Sequence, residues 1–200
     1  HAYLQRHNIP FESVLAKGAN KRMVKRMKEE AVRATRQLAT ERGECPDGEG
    51  YGVRNAHLLS VAPNASSSII CGNTSPSIEP YRANAFTQKT KSGSSLLKNE
   101  YLQHALQEIG MDTEEVWKSV ITNSGSVQQL EFLDEYTKDV FKTAVEIDQK
   151  WIIEMAGDRQ QHICQSQSLN VFFPADVSKQ ELHAIHMMAW KQKVKTLYYL

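Results

Sequence analysis

A cluster of small hydroxyl side chains follows a proline in the first half of the chain, in the segment Pro63-Asn64-Ala65-Ser66-Ser67-Ser68. An apolar run over residues 56–62 precedes this segment. The order predicts a strand that ends in a tight loop, from which a helix begins. The first N–H groups of a helix have no intrahelical acceptor and lie at the positive end of the macrodipole, so they suit an anion. A serine-capped helix explains the same residues, and both interpretations stay open.

Two adjacent tyrosines, Tyr198 and Tyr199, stand in the last apolar segment of the chain. Successive residues of a strand face opposite sides of a sheet, so one ring would be buried and its neighbour directed elsewhere. Tyrosine can pass an electron and a proton together, which makes the pair a candidate for radical transfer. Ordinary packing within a strand is the alternative.

Metal and thiol chemistry are only weakly indicated by the sequence. Cys45, Cys71 and Cys164 are far apart and fit neither a disulfide framework nor a set of metal ligands, so we expect a reducing compartment. His183 and His186 share a predicted helix face, but no carboxylate or cysteine is placed to complete a metal site. We interpret them as packed or surface groups, and Cys164 as a small buried residue.

A basic helix precedes the hydroxyl cluster. It is predicted to begin after an N-cap at Asn20 and to end at Gly43. Its apolar stripe consists of Met23, Met27, Ala31, Ala34 and Leu38, and its cationic face of Lys21, Arg22, Lys25, Arg26, Lys28, Arg33 and Arg36. A nucleic-acid-binding helix has such a face, but no aromatic side chains interleave to stack on bases. We favour a solvated or inter-subunit face.

The rest of the chain is predicted to mix strands and helices. The expected strands cover 56–62, 84–90, 166–173 and 194–200. The expected helices cover 96–110, 113–123, 132–157 and 178–192, and the third of them either continues or restarts through Ile147. Thr113 can cap the helix over 113–123, and Ser178 and Glu181 form a capping box at the start of the last helix. Strand, helix and strand at the end of the chain make a βαβ unit, so these strands should be parallel. The fold class is α/β.

Length and composition limit the class of protein. The 200 residues carry a net charge of +1, with 40% apolar and 24% charged residues, as in an ordinary soluble protein. This charge gives no reason to expect nucleic acid or an anionic membrane as a partner. No apolar run approaches the roughly 20 residues that span a bilayer. The chain has no initiator methionine and stops within an apolar segment, so we expect a fragment of a longer protein.

Three ordered motifs, within 62–81, 163–170 and 190–199, resemble the class I ribonucleotide reductase large (alpha) subunit, in a bacterial or phage-like form. The resemblance runs from about Arg54 to the C-terminus. It implies the C-terminal part of a ten-stranded α/β barrel with additional helices. Residues 1–52 would be a basic amphipathic helix and loop leading into the barrel, and 53–200 the barrel part, without an independent second domain.

The same resemblance implies radical-based reduction of ribonucleoside diphosphates to deoxyribonucleoside diphosphates for DNA synthesis. The segment 63–68, called here the hydroxyl-rich loop, would hold the substrate diphosphate. Pro63, Asn64 and Ala65 would contribute mainly backbone, and Ser66 and Ser67 both amides and hydroxyls. The loop would therefore be a substrate site, in agreement with the anion site inferred from the residues alone.

The tyrosine pair would pass an oxidising equivalent to the active-site cysteine. This oxidising equivalent would come from a separate small beta subunit, which holds the metal/tyrosyl radical cofactor. This chain would therefore bind no metal or cofactor itself. In this family the pair is stacked. Adjacent tyrosines cannot stack within a regular strand, so we predict a local distortion at Tyr198 and Tyr199.

Further partners follow from the resemblance. They are the N-terminal part of the large subunit, which would bind ATP and dNTP effectors, a second large subunit in a dimer, and a thioredoxin- or glutaredoxin-type reductant. No membrane or nucleic acid is expected among the partners. The expected location is the cytoplasm, or the host cytoplasm for a phage protein.

The chain departs from the family pattern in three respects. The Asn-Cys-x-Glu sequence, which carries the thiyl-radical cysteine in the family, does not occur in it, so we expect the chain alone to be inactive. Cys164 stands where many relatives have aspartate. Lys193 stands where glycine is common, which puts the turn before the last strand in question. Two other functions stay open: a stand-alone nucleotide- or phosphate-binding module, and an RNA-binding fragment that uses the basic helix.

Overall fold

The structure is a computed structural model and describes residues 1–72, 74–75, 78–90 and 93–198, without the side chains of 65, 66, 69, 89 and 90. It divides into two compact units, each made of three stretches of chain. The first unit comprises residues 1–16, 63–151 and 172–175, and the second 17–62, 152–171 and 176–200. The domain division at residues 52/53 stays a prediction.

The described residues form helices, one short 3-10 turn and one hairpin. In chain order these are α1 (Ala2–Arg6), α2 (Val14–Arg42), the 3-10 turn (Pro46–Gly48), α3 (Ala65–Ile70), β1 (Ala85–Thr90), β2 (Gly93–Lys98), α4 (Glu100–Glu108), α5 (Glu114–Thr122), α6 (Glu135–Val140), α7 (Gln149–Gln160) and α8 (Lys179–Lys191). The mixture of helix and strand agrees with the predicted α/β class.

The hairpin of the first unit confirms one predicted strand and corrects one predicted helix. β1 and β2 pair antiparallel, with Ala85 opposite Lys98. Residues 96–98, which were predicted to open a helix, therefore belong to β2. The helix α4 begins only after Asn99, whose side chain accepts a hydrogen bond from the Tyr101 N–H. This cap fixes the helix start, because it satisfies one of the N–H groups that the helix itself cannot pair.

The core of the first unit packs α4 and α5 against β1 and the turns that follow α5. Its buried members are Ala85, Leu102, Leu106, Val116, Trp117, Val120, Val127, Leu130, Leu133, Val140 and Phe141. Thr113 caps α5 as predicted, through a hydrogen bond from the Val116 N–H. Val116, Trp117 and Val120 form the buried face of α5 at helical spacing, while Ile121 is 41% exposed.

A buried amide network joins the termini of these elements. Asn84 is 1% exposed, and its Nδ2 donates to the carbonyls of Gly125 (3.0 Å) and Phe141 (2.7 Å). Its Oδ1 accepts from Asn99 Nδ2, which also donates to Gln5 Oε1, both at 2.9 Å. Because unpaired buried amides are costly, this network fixes the relative positions of the segments it joins.

The helical stretch predicted over 132–157, as a helix that continues or restarts, is two separate helices, α6 and α7. Asp134 caps α6 and accepts from the Thr137 N–H. After α6 the Glu146 carboxylate accepts from the N–H (2.7 Å) and hydroxyl (2.8 Å) of Thr143. This local pairing gives the backbone an alternative to helical hydrogen bonds, which explains why the helix does not continue.

The basic helix α2 begins earlier than its predicted N-cap. The Ser13 hydroxyl accepts from the Ala16 N–H at 3.1 Å and provides the actual cap. Asn20 lies inside the helix, where it is buried and donates to the Met155 carbonyl at 3.1 Å. The prediction of Asn20 as N-cap is therefore wrong. The predicted end is correct, since Gly43 has a φ of +83° directly after the helix.

The buried face of α2 also differs from the predicted stripe. Met23 and Met27 are 41% and 57% exposed, whereas Val24 and Thr35 are buried. The polar side chains of Asn20 and Thr35 hydrogen-bond to neighbouring segments, so they occupy buried positions that apolarity alone does not identify.

The predicted strands over 56–62, 166–173 and 194–200 are extended segments with only local pairing in their described residues. Val61 and Gln167 form a single parallel bridge. Beyond it, the Tyr198 N–H donates to the Leu169 carbonyl at 2.7 Å. The extended, helical and extended segments of the predicted βαβ unit are thus present, with α8 as the helix. The regular strands over 56–62 and 166–173 are corrected to extended chain, and residues 199–200 of the last one lie outside the described residues.

Side chains take the place of strand partners in these segments. The Cys164 sulfur accepts from the Leu58 and Leu59 N–H groups at 3.1 and 3.2 Å. The Phe172 N–H donates to Gln149 Oε1 at 2.8 Å. Each such contact satisfies a backbone donor without a neighbouring strand, which explains why regular ladders do not form here.

Lys193 follows α8 in a left-handed conformation, with a φ of +59°. A side chain in this conformation costs about 1–2 kcal/mol, and glycine avoids this cost. We expect Lys193→Gly to raise the free energy of unfolding by about 0.5–1 kcal/mol, because glycine's greater freedom in the unfolded chain offsets part of the gain. Thermal unfolding measures the change. Lys191→Gly, at the end of α8, is the control and should lower stability by a similar amount; a loss in both variants would contradict the prediction.

Candidate functional site

The hydroxyl cluster lies at the start of α3, in the first unit. The helix begins at Ala65, so Asn64 occupies the preceding position, and the first helical hydrogen bond runs from the Ser68 N–H to the Asn64 carbonyl at 2.9 Å. In any helix the N–H groups before this bond have no intrahelical acceptor. The N–H groups of residues 65–67 are therefore those that an anion at this helix start would use.

The serines of the cluster differ in exposure. Pro63, Asn64 and Ser67 are exposed, and the Ser67 hydroxyl makes only a long contact of 3.5 Å with the Asn64 carbonyl. Ser68 is 5% exposed, so its hydroxyl does not join the exposed group. The side chains of Ala65 and Ser66 lie outside the description. None of the serines stands at the N-cap position, which argues against the alternative of a serine-capped helix.

The relay tyrosines are described only in part. Tyr198 belongs to the second unit, is 52% exposed and donates its N–H to the Leu169 carbonyl at 2.7 Å. Tyr199 lies outside the described residues, and so does the predicted stacking or distortion of the pair. The radical-transfer role of both tyrosines stays a prediction.

A buried polar cluster supports the segment that pairs with Val61 and Tyr198. Gln167 is fully buried, and its Nε2 donates to the Ala156 carbonyl (2.9 Å) and to Gln160 Oε1 (3.0 Å). Its Oε1 accepts from Arg159 Nε at 2.9 Å, and Arg159 also donates to Asn20. Gln167, Gln160 and Arg159 are not among the site residues predicted from the sequence. The signal that could have identified them is the presence of polar residues at buried positions of α7 and of the 166–171 segment.

The Cys164 sulfur accepts hydrogen bonds from the backbone N–H groups of Leu58 and Leu59, in the same unit. Burial raises the pKa of its thiol, but the Leu59 and Leu58 N–H groups and the charge of Lys28 outweigh burial, so the pKa lies below its ordinary value. The sulfur is thus an acceptor for two backbone donors, not merely a small buried group. An acidic side chain at this position could accept the same two bonds.

The cations of α2 are partly paired within the helix. Arg26 and Arg33 both contact Glu30, at 2.7 and 2.5 Å, and Lys25 lies 3.8 Å from Glu29. These exposed pairs contribute little to stability. Their presence agrees with a solvated face, the interpretation favoured from the sequence.

Two further predictions concern metals and membranes. Among the described residues, no three or more histidine, cysteine, aspartate or glutamate side chains are grouped as metal ligands, and His183 and His186 are both exposed. In the described part of the chain, no helix combines the length and apolarity needed to cross a membrane. All three cysteines are free thiols.

Comparison with known proteins gives a consistent result. Residues 46–200 match the family model described as "Ribonucleotide reductase, barrel domain". A Frog virus 3 protein, provisionally named a ribonucleoside-diphosphate reductase large subunit, is 51% identical and covers 99% of this chain. The ribonucleoside-diphosphate reductase large subunit of Invertebrate iridescent virus 6 is 49% identical and covers 100% of it.

A solved structure extends the comparison to the fold. The Actinobacillus ureae class Id ribonucleotide reductase alpha subunit matches 100% of this chain with a TM-score of 0.91 and 39% identity. This chain spans 35% and 21% of the two viral relatives and 37% of the bacterial one. The family model covers most of the chain, and the fold match covers all of it. The chain therefore belongs to the ribonucleotide reductase family and represents a part of its large-subunit α/β barrel.

Proposed function

We propose that this chain supplies the substrate-phosphate loop and the tyrosine relay of a ribonucleoside-diphosphate reductase large subunit. The observation that carries the proposal is the exposed start of α3, where the Ser67 hydroxyl lies beside backbone N–H groups that have no helical acceptor. This loop falls within the matched barrel region and carries no acidic side chain that would repel a diphosphate.

In this proposal the loop binds and orients the diphosphate. Backbone N–H groups of residues 65–67 donate to phosphate oxygens, and the Ser67 hydroxyl adds a further donor. Pro63 and Asn64 contribute the backbone that leads into the helix. Holding the diphosphate fixes the ribose for hydrogen abstraction by a thiyl cysteine that another part of the large subunit would carry.

The relay would bring the oxidising equivalent to that cysteine. Tyr198, followed by Tyr199, would pass it on from a separate small subunit that holds the radical cofactor. Partial exposure of Tyr198 leaves its ring accessible to a further redox group. The proposed enzyme also needs parts that this chain does not supply. They are the effector sites, a second large subunit and a dithiol reductant.

Substitution of Ser67 tests the loop assignment. In an enzyme reconstituted from this chain, the remaining large-subunit part and the small subunit, we expect Ser67→Ala to raise the KM for a ribonucleoside diphosphate about tenfold, because one hydrogen bond to a charged group is lost. The kcat should change much less. Steady-state kinetics measure both, and Ser94→Ala, on the exposed strand β2, is the matched control.

The outcomes separate the three functions. An unchanged KM in Ser67→Ala would contradict the loop assignment. This chain alone should form no deoxyribonucleoside diphosphate, and formation by it alone would contradict the need for another part. Tight diphosphate binding without recovery of reductase activity on reconstitution would favour a stand-alone module. Steeply salt-dependent RNA affinity, lost on neutralising Lys25 and Arg26, would favour the RNA-binding alternative.

A further inference from the structure

A small cationic cavity lies in the second unit, between the first half of α2 and the chain at the end of α7. Its volume is about 260 Å³, and its lining residues are Lys21, Arg22, Lys25, Asp158, Gln161 and His162. None of these residues belongs to the hydroxyl-rich loop, so the cavity is separate from the site assigned above.

The carboxylate that lines the cavity lies near two lysines. Asp158 Oδ1 lies 3.1 Å from Lys21 Nζ. Asp158 Oδ2 is buried without a hydrogen-bond partner among the described residues and lies 3.9 Å from Lys17 Nζ, which itself bonds Glu154 at 2.7 Å. The Asp158 side chain is only 12% exposed, so solvent screens these pairs less than pairs at the surface. Among the described residues, its ion pairs are with Lys17 and Lys21, and not with Arg22 or Lys25.

The other two cations of the cavity, Arg22 and Lys25, have N–H donors that a ligand can use. Among the described residues, the Arg22 guanidinium has no hydrogen-bond or ion-pair partner. Its Nη1 would lie 3.2 Å from a Cβ at Gly18, so the glycine leaves room for the guanidinium on this side of the helix. In the described part of the chain, the ion pair of Lys25 is with Glu29, at 3.8 Å and exposed, and such a pair is worth a few tenths of a kcal/mol.

We propose that this cavity binds a compact phosphate-bearing anion, with Arg22 and Lys25 as the principal donors. The planar guanidinium donates two parallel hydrogen bonds to a phosphate, and the ammonium supplies a point charge. The volume lies below the roughly 300–1,000 Å³ of sites that enclose drug-sized ligands, so the cavity accepts phosphate groups and not a whole nucleotide. The phosphate is either free, as in pyrophosphate, or the end of a nucleotide whose base stays outside.

Calorimetric titration of the full chain with pyrophosphate, at low salt, tests the proposal. We expect Arg22→Gln to weaken binding about tenfold, because a bidentate charged contact is lost. Arg36→Gln removes the same charge from the same helix outside the cavity and should leave binding within about twofold. Arg22 is exposed, so its substitution should leave the melting temperature unchanged and the comparison valid.

Equal weakening by the two substitutions, or no pyrophosphate binding by the unmodified chain at millimolar concentration, would overturn the proposal. A second titration, with cytidine diphosphate in the Ser67→Ala background, identifies the source of the phosphate. If Arg22→Gln weakens cytidine diphosphate binding in that background, the cavity binds a nucleotide-borne phosphate. If it weakens pyrophosphate binding alone, the cavity binds a free phosphate. The effect of Ser67→Ala itself is read separately, so failure of the loop assignment leaves this result interpretable.

Discussion

Gly125→Ala is expected to lower the free energy of unfolding by about 3 kcal/mol or more, since backbone strain and overpacking act together. Gly125 has a φ of +85°, and a Cβ there would lie 2.5 Å from Ala83 Cα and 2.9 Å from the Asn84 nitrogen. These neighbours are backbone atoms, which cannot move aside without displacing β1. The same displacement would break the hydrogen bonds that Asn84 donates to Gly125.

Gly110→Ala is the control that separates the two causes. Gly110 has a φ of +68°, and a Cβ added there would meet no atom within 4 Å, so only backbone strain of about 1–2 kcal/mol applies. Urea denaturation of both variants measures the difference. Equal losses at the two glycines would show that the close approach to Ala83 contributes nothing.

Gln167→Leu is expected to cost about 3 kcal/mol or more, although leucine is apolar and of similar size. The substitution removes an acceptor from the buried Arg159 guanidinium and a donor from two buried oxygens. Buried polar groups that lose a partner cost about 1–3 kcal/mol each. Urea denaturation measures the loss. Gln165→Leu, at an exposed position two residues earlier, should stay within about 0.5 kcal/mol.

Hydrogen exchange gives a second test of the role of Gln167. The Val61 and Ser168 N–H groups bond across the bridge between Val61 and Gln167, at 3.1 and 2.8 Å. If the glutamine holds this segment in place, both amides should exchange faster in Gln167→Leu than in Gln165→Leu. Unchanged exchange would limit the role of Gln167 to local packing, without an effect on the chain that leads into the hydroxyl-rich loop.

The sequence predicts those features of the fold that depend on local chemistry. The caps at Thr113 and Ser178 and the helix end at Gly43 are each confirmed, since a cap needs only one side chain and its nearest backbone groups. The family and the barrel class are likewise predicted from three ordered motifs. The position of the hydroxyl-rich loop at a helix start follows from the same local pattern.

The features that were missed depend on long-range polar contacts. Asn20 has the chemistry of an N-cap, but Met155 and Arg159, more than 130 residues away, hold it inside α2. Leu58 and Leu59 have the pattern of a strand, but a cysteine sulfur more than 100 residues away takes their N–H groups. Periodicity carries no information about such partners, so the strands and the start of α2 could not be placed from sequence alone.

The amide network around Asn84 has a consequence for the order of folding. Gln5 donates to the carbonyl of Val140, 135 residues later, and accepts from Asn99, 94 residues later. Loop-closure entropy delays contacts of such separation, whereas the hairpin and the α4–α5 pair form from near neighbours. The N-terminal segment should therefore dock last. During synthesis the Gln5 contacts can form only after Val140 has been added to the chain, so they follow the hairpin and the α4–α5 pair.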